Sequence, residues 1–247
     1  MAKAALQLYS VWQRMQENPL RTLEEAAAAG YDGVEFAGFF DVPAEEMRKK
    51  LDELGLEVCG SHTAIDLMDK DLDAVLAYNK TIGNDLIIIP YVDPKLRSKD
   101  YYMELAAKMN DYGKRIKEQG FTLAYHNHDF EFVAYDGVTA YDMLVENTDP
   151  EYVKFQADMG WVSFAGEDTD AFIKKYGERI ITIHVKQFKA VGDPTGTEVD
   201  RGMVDYKPIV AAYQKLGVQW FIIEQESYDM PMLESIAISS KALKNMF

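Results

Sequence analysis

Four scarcities bound this chain before any motif is considered. It holds one cysteine, Cys59, in 247 residues. An internal disulfide is therefore excluded, as is a metal site built on several thiolates. Cationic residues are few: 26 Lys and Arg stand against 41 Asp and Glu, for a net charge of −15. A duplex nucleic-acid binder needs clustered cations to displace phosphate counterions, so nucleic acid and anionic membrane are excluded as expected partners. No apolar run approaches the roughly 18 residues of a membrane helix. The opening MAKAALQLYS lacks the apolar centre of a secretory signal. With the lone cysteine, this sets a cytoplasmic location as the expectation. Gly-rich phosphate loops are missing too. No GxGxxG or GxxxxGK[ST] follows the first strand-like segment, which argues against a nicotinamide enzyme and an open doubly wound sheet.

What is present is a recurring punctuation. An amphipathic stretch ends in glycine, and a short apolar run follows at once: AAAAG-YDGVEF, DELG-LEVCG, KTIG-NDLIIIP, KEQG-FTLAYH, QKLG-VQWFII. Gly30, Gly55, Gly83, Gly120 and Gly217 read as helix C-caps, where only glycine turns left-handed without steric cost. Thr22 to Glu25 reads as a capping box. Asp41 reads as an N-cap before Pro43. Strands are expected near residues 4–10, 32–36, 56–61, 85–90, 121–127, 152–158, 180–186 and 219–224. Eight strand–helix alternations without a compositional break predict an α/β fold, a single (β/α)8 TIM barrel over residues 1–247. The longest irregular stretch, 187–204, falls where an active-site loop belongs.

The chain has four histidines, His62, His126, His128 and His184. On this map each lies at or just past the C-terminal end of a strand, the end that carries the active site in such barrels. Alternation sorts the faces. Ile181, Ile183 and Val185 point to the helices, while His184 and Lys186 face the axis. His126 and His128 face inward, as do Gln7 and Tyr9. Glu35, Asp158 and Glu224 are inward carboxylates at strand tops. Ionised carboxylates there need a partner. Ion pairs with Lys154, Lys186 and Arg201 are one answer, but these cations are too few for the ring of acids. A divalent metal is the other, and Asp, His and Glu donors suit Mn, Zn, Co or Mg.

These residues sit in LQLYS, GYDGVEFAGFF, YHNHDFEF, QADMGWV, IHVKQF, DRGMVDY and FIIEQE. In order and nearly end to end, the set resembles the sugar phosphate isomerase/epimerase branch of the xylose-isomerase-like TIM barrels. Inosose dehydratases are similar at the G-x-E-x-x-GFF segment, the His-rich fifth strand and the closing Glu. The resemblance implies a metal held by an acid on strand five and by Asp158, His184 and Glu224. On strand five this chain departs, and either His126 or Glu131 supplies the remaining ligand; strand geometry favours His126. The implied activity is a sugar or cyclitol isomerase or epimerase, working by proton abstraction next to a carbonyl and a metal-stabilised enediolate. A lyase acting on a keto-cyclitol or an oxidised glycoside is the runner-up, and a non-catalytic sugar-binding barrel is the third reading. Endonuclease relatives are disfavoured by the acidic charge. His128 or Glu131 is expected as base, and Lys186 as the group that polarises the carbonyl or donates a proton. Glu35, His62 and Arg201 would hold substrate hydroxyls or an acidic group, and Tyr9 is a further substrate-binding residue. Trp161 and Phe39 would stack on a sugar face. Such barrels often pair, and Tyr101, Tyr102 and Phe247 are the segments that point to a homo-oligomer.

Overall fold

The computed structural model describes residues 1–247. Eight parallel strands close on themselves: β1 (Lys3–Gln7), β2 (Gly33–Phe36), β3 (Glu57–His62), β4 (Leu86–Ile89), β5 (Thr122–His126), β6 (Val153–Asp158), β7 (Ile180–Lys186) and β8 (Trp220–Glu224). Neighbours in the chain are neighbours in the ring, and β8 pairs with β1 through Ala4 opposite Phe221 and Ala5 opposite Ile222. The fold is the expected (β/α)8 barrel. Ten helices follow in order: α1 (Trp12–Glu17), α2 (Pro19–Ala28), α3 (Ala44–Leu54), α4 (Ile65–Ile82), α5 (Lys99–Lys117), α6 (Ala140–Glu146), α7 (Met159–Phe164), α8 (Thr169–Tyr176), α9 (Tyr206–Lys215) and α10 (Met232–Lys244). None is long and apolar enough to cross a membrane.

The main core lies between strands and helices, where outward residues such as Val34, Phe36, Leu123, Tyr125, Ile183 and Val185 meet the helix faces. Inside the barrel two small apolar groups form the floor. One joins Ala5, Cys59 and Ile222; the other joins Leu86, Ile88 and Ala124. Ile181 packs on this second group, not on the helices. The register of β6 against β7 shifts between Phe155 and Gln156. That bulge turns Ile181 inward and restores the expected facing from Thr182 onward.

All five punctuating glycines have positive φ, from 66° at Gly55 to 90° at Gly217. Three expectations about ends are corrected. β1 stops at Gln7, because the Gln7 Oε1 accepts the Tyr9 backbone N–H and starts a 3-10 turn over Leu8–Val11. The second helix starts at Pro19 with Asn18 as its cap, so Thr22 lies inside it. Asp41 has φ 57° and caps nothing; α3 begins after Pro43. The 187–204 stretch contains an antiparallel hairpin, Phe188–Ala190 with Asp193–Gly196. Tyr102 is fully buried in the core, and Phe247 packs on Phe221 at 5.5 Å, which removes Tyr102 as an interface residue.

Candidate metal centre and cavity

Above the apolar floor the interior turns polar. Glu35 on β2 is fully buried and gathers four donors. Gln7 Nε2 donates to its Oε2 at 2.7 Å, and Gln156 Nε2 donates to its Oε1 at 2.6 Å. His184 Nε2 and His62 Nε2 lie 2.6 and 3.0 Å from Oε2. Burial would raise this carboxyl, but His62 and His184 hold it well below the usual range. Glu35 therefore lies beneath the cavity and orients histidines; it does not reach the space where substrate hydroxyls would lie. Gly60 makes room for it, since a Cβ there would come within 2.8 Å of Glu35 Oε1.

Gln156 is the second hub. Its Oε1 accepts from His126 Nδ1 at 2.9 Å and lies 2.8 Å from His62 Nε2. An amide oxygen only accepts, so His126 Nδ1 carries the hydrogen and Nε2 is left as a ligand atom. The sequence reading passed over Gln156. The available signal was its place two residues before Asp158, on the same face of β6.

The strand tops then converge. Ligand atoms of His126, Asp158, His184 and Glu224, all buried, lie within 4.8 Å of one another. Asp158 divides its oxygens. Oδ1 caps α7 by accepting the Trp161 N–H at 2.9 Å, and Oδ2 is buried without a hydrogen-bond partner. Burial pushes this carboxyl up to about 7, with Lys186 and His184 opposing. His184 Nδ1 lies 3.1 Å from Glu224 Oε2 and 4.0 Å from Asp158 Oδ2. Burial works against its charged form, but Glu35 and Glu224 outweigh it and lift the ring to about 10. Glu224 is itself held well below the carboxylate range, as Lys186 and His184 override its burial. His126 is driven well below its ordinary value by burial and by the neighbouring histidines, so it is neutral. Two imidazoles and two carboxylates, one with an orphaned oxygen, fit a divalent ion. The outer partners Glu35 and Gln156 set both ring tautomers, as is usual for metal-bound histidines.

Glu131 does not join this group. It is buried off the cavity, where it accepts from the Tyr125 hydroxyl and, at 2.7 Å, from the His128 N–H. It is placed neither as fourth ligand nor as base. Arg201 is also displaced from its expected role: it is half-exposed, pairs with Glu198 at 3.3 Å and does not line the cavity. Of the three cations considered as ion-pair partners, only Lys186 reaches the acids, 3.2 Å from Glu224 and paired also with Glu226. Burial opposes its charge, yet Glu224 and Glu226 hold the ammonium above its ordinary value.

Over the cluster opens a cavity of about 970 Å³. His62, His126, His128, Glu224, Tyr9, Phe39 and Trp161 all line it. His128 Nδ1 is buried without a partner, and burial with Lys186 nearby lowers the ring to about 3, so it is neutral. The His128 ring lies 5.7 Å from that of Trp161, and Lys186 stands over Trp161 at 5.3 Å. Lys186 occupies an adjoining recess of about 140 Å³, shared with Trp161 and Glu226. Tyr9 and Trp12, 5.5 Å apart, follow β1, which stands opposite β5 in the ring. The expected stacking partner Phe39 is itself stacked on Tyr78 at 3.9 Å.

An inosose dehydratase of Mesomycoplasma hyopneumoniae is 27% identical over 188 residues, a match that takes in 68% of this chain and 62% of the relative's length. One of Lacticaseibacillus casei is 24% identical over 244 residues, covering 83% of this chain and 81% of the relative. Among solved structures, a sugar phosphate isomerase/epimerase from Parabacteroides distasonis superposes with a TM-score of 0.83 at 22% identity, covering 99% of this chain and 94% of that one. The model of the xylose isomerase-like TIM barrel family matches residues 23–246, and the chain belongs to that family.

Proposed function

We propose that this protein is a metal-dependent enzyme that removes a proton next to a carbonyl of a keto-sugar or keto-cyclitol. The observation that carries the reading is the buried His126, Asp158, His184 and Glu224 tetrad, with the Asp158 Oδ2 left without a partner. These four residues would hold a divalent ion, which when bound polarises substrate oxygens and stabilises the negative charge of the deprotonated carbonyl. His128 is the base. It is neutral, it lines the cavity, and its Nε2, unlike the enclosed Nδ1, is neither buried nor hydrogen-bonded within the protein, so that lone pair can take a carbon-bound proton. Trp161 supplies a ring face beside it. Lys186 does not reach the main cavity; its ammonium instead keeps Glu224 ionised and holds Glu226.

Loss of water or of another substituent from the adjacent carbon is the outcome the walls favour. His128 and Trp161 follow β5 and β6, and the opposite wall above β1 and β2 is aromatic. A proton taken on one face and a leaving group protonated from the same side need no second base across the ring. The relatives named inosose dehydratase agree with this. Isomerisation or epimerisation is the second reading, favoured by Glu226, which lines the cavity three strands round from His128 and could return a proton to another face.

Elemental analysis of protein purified without chelators tests the centre, and incubation with inososes and keto-sugars in heavy water tests the chemistry. About one equivalent of metal, lost in Asp158→Ala and His184→Ala, with deuterium entering next to the carbonyl, is the expected result. A product lighter by one water assigns the lyase; a deuterated isomer assigns the isomerase or epimerase. No metal after reconstitution with Mn, Zn, Co or Mg, together with no exchange, would overturn the reading in favour of a non-catalytic sugar-binding barrel.

A further inference from the structure

The cavity is too large and too apolar for the reacting ring alone. A volume near 970 Å³ is at the top of the range that buries drug-sized ligands, and a single sugar or cyclitol ring fills a small part of it. The surplus lies along α4. The buried stripe of this helix is Met68, Leu72, Leu76 and Ile82. A second stripe, Leu67, Asp71, Ala74 and Tyr78, lies at helical spacing and borders the cavity. Two of its members have no protein cover, Leu67 at 53% exposure and the exposed Ala74, while Tyr78 is half-buried and backed by Phe39. The stripe survives a kink at Asp71, whose backbone leaves the helical region at φ −162° and ψ 84°. Trp12 and Phe39 border the same space, so the extension is a slot with aromatic and aliphatic walls, continuous with the metal end.

Charge narrows the occupant. Lys70 is the only Lys or Arg bordering the cavity. A phosphate dianion would want a cluster of cations or an Arg fork, and the net charge of −15 makes the molecule as a whole repel anions. Building on the proposed function, we infer that the substrate is a conjugate: an unphosphorylated sugar or cyclitol carrying a planar, uncharged apolar group, which lies in the slot along α4 while the polar ring meets the metal centre. The elimination step would then release either water or the apolar group as an alcohol or phenol. In the second case His128 takes the α-proton, and the C–H electron pair becomes a carbon–carbon double bond next to the carbonyl. The bond from the ring carbon to the glycosidic oxygen breaks with its electron pair on that oxygen, and a proton from water is added there.

Binding of three probes to the metal-loaded protein, followed by calorimetry, tests this: naphthyl β-D-glucoside, methyl β-D-glucoside and glucose-6-phosphate. The naphthyl compound should bind at least about tenfold tighter than the methyl compound, from the apolar area it buries. In Ala74→Trp, which fills the slot from an exposed helix position and whose folding is checked by its melting temperature, that advantage should vanish. In Lys70→Ala it should persist. Equal binding of the naphthyl and methyl glucosides, or tightest binding by the hexose phosphate, would overturn the inference. Deuterium exchange on a small inosose is measured in parallel. Exchange without an aryl preference removes the slot assignment alone, and an aryl preference without metal or exchange removes the catalytic reading alone.

Discussion

At the residue scale the centre is a balance of protons as much as of ligands. Glu131 is the clearest single case, because it sits away from the cluster and holds no cation. Burial lifts its carboxyl to about 7, against an ordinary value of 4.5, with the Tyr125 hydroxyl opposing. The folded state thus favours the protonated acid more than the unfolded chain does. Stability from this group is complete below about pH 4.5 and is lost as pH rises through about 7. The shift corresponds to a loss on the order of 3 kcal/mol across that window. Glu131→Gln keeps a neutral group in place at all pH. Urea titrations at pH 5 and pH 8 should therefore show a smaller fall in stability for the variant than for the parent, and an equal fall would refute the assignment. Gln156 supports a second prediction. Its side-chain oxygen sets the His126 tautomer and its nitrogen holds Glu35. Gln156→Leu keeps the volume but frees the His126 ring and leaves Glu35 one donor short. Metal affinity should fall roughly 10- to 100-fold, as for other outer partners of metal ligands, with no ligand removed. Competition with a chromogenic chelator would read it.

At the scale of elements, the chain was legible where a local rule has no rival. The five αL glycines each closed a helix, and all eight strands lie close to their expected places, because short apolar runs after such a cap have few alternatives. The start signals were weaker. Asn18 with Pro19 outcompeted the Thr22 box four residues on, and the chain around Asp41 turned left-handed. The inward residues were readable from alternation until a bulge intervened, as at Ile181. What alternation cannot supply is reach. It turned Glu35 and Lys186 to the barrel axis, but did not show that Glu35 would lie under the histidines or that Lys186 would occupy a side recess, and it does not reach Glu131, which lies past the strand and turns to Tyr125. The contact of α7 with β7 is equally silent in sequence. A Cβ on Gly160 would collide with the Lys186 carbonyl oxygen and stand 2.9 Å from that residue's carbonyl carbon and Cβ. Gly160→Ala must therefore push α7 off β7, moving Asp158 and Trp161 with it. We expect a cost of about 1–3 kcal/mol in thermal or chemical unfolding, as for other overpacked sites. Metal affinity should weaken as well, and unchanged values for both would count against this packing.

For the whole molecule, the centre is also a brace. His126, Asp158, His184 and Glu224 come from β5, β6, β7 and β8, four consecutive staves of the ring. From beneath, Glu35 on β2 reaches His184 on β7 and Gln156 on β6, on the far side of the barrel. Without an ion, three acids and Lys186 are confined in the polar layer with an unsatisfied Asp158 oxygen. An ion that binds only the folded ring removes that deficit and stabilises the barrel by mass action, by about 2.7 kcal/mol at a hundredfold excess over Kd. For a chain of this size that is a rise in Tm on the order of 5–10 °C. Calorimetric scans with EDTA and with Mn²⁺ or Zn²⁺ should differ by such an amount for the parent chain. For Asp158→Asn the two scans should coincide, since the amide keeps the cap on Trp161 but loses the anionic donor. A metal-induced rise that survives in Asp158→Asn would place the ion elsewhere. No rise in the parent, at concentrations that load a reference chelator, would mean that the polar layer is held by its own hydrogen bonds and ion pairs.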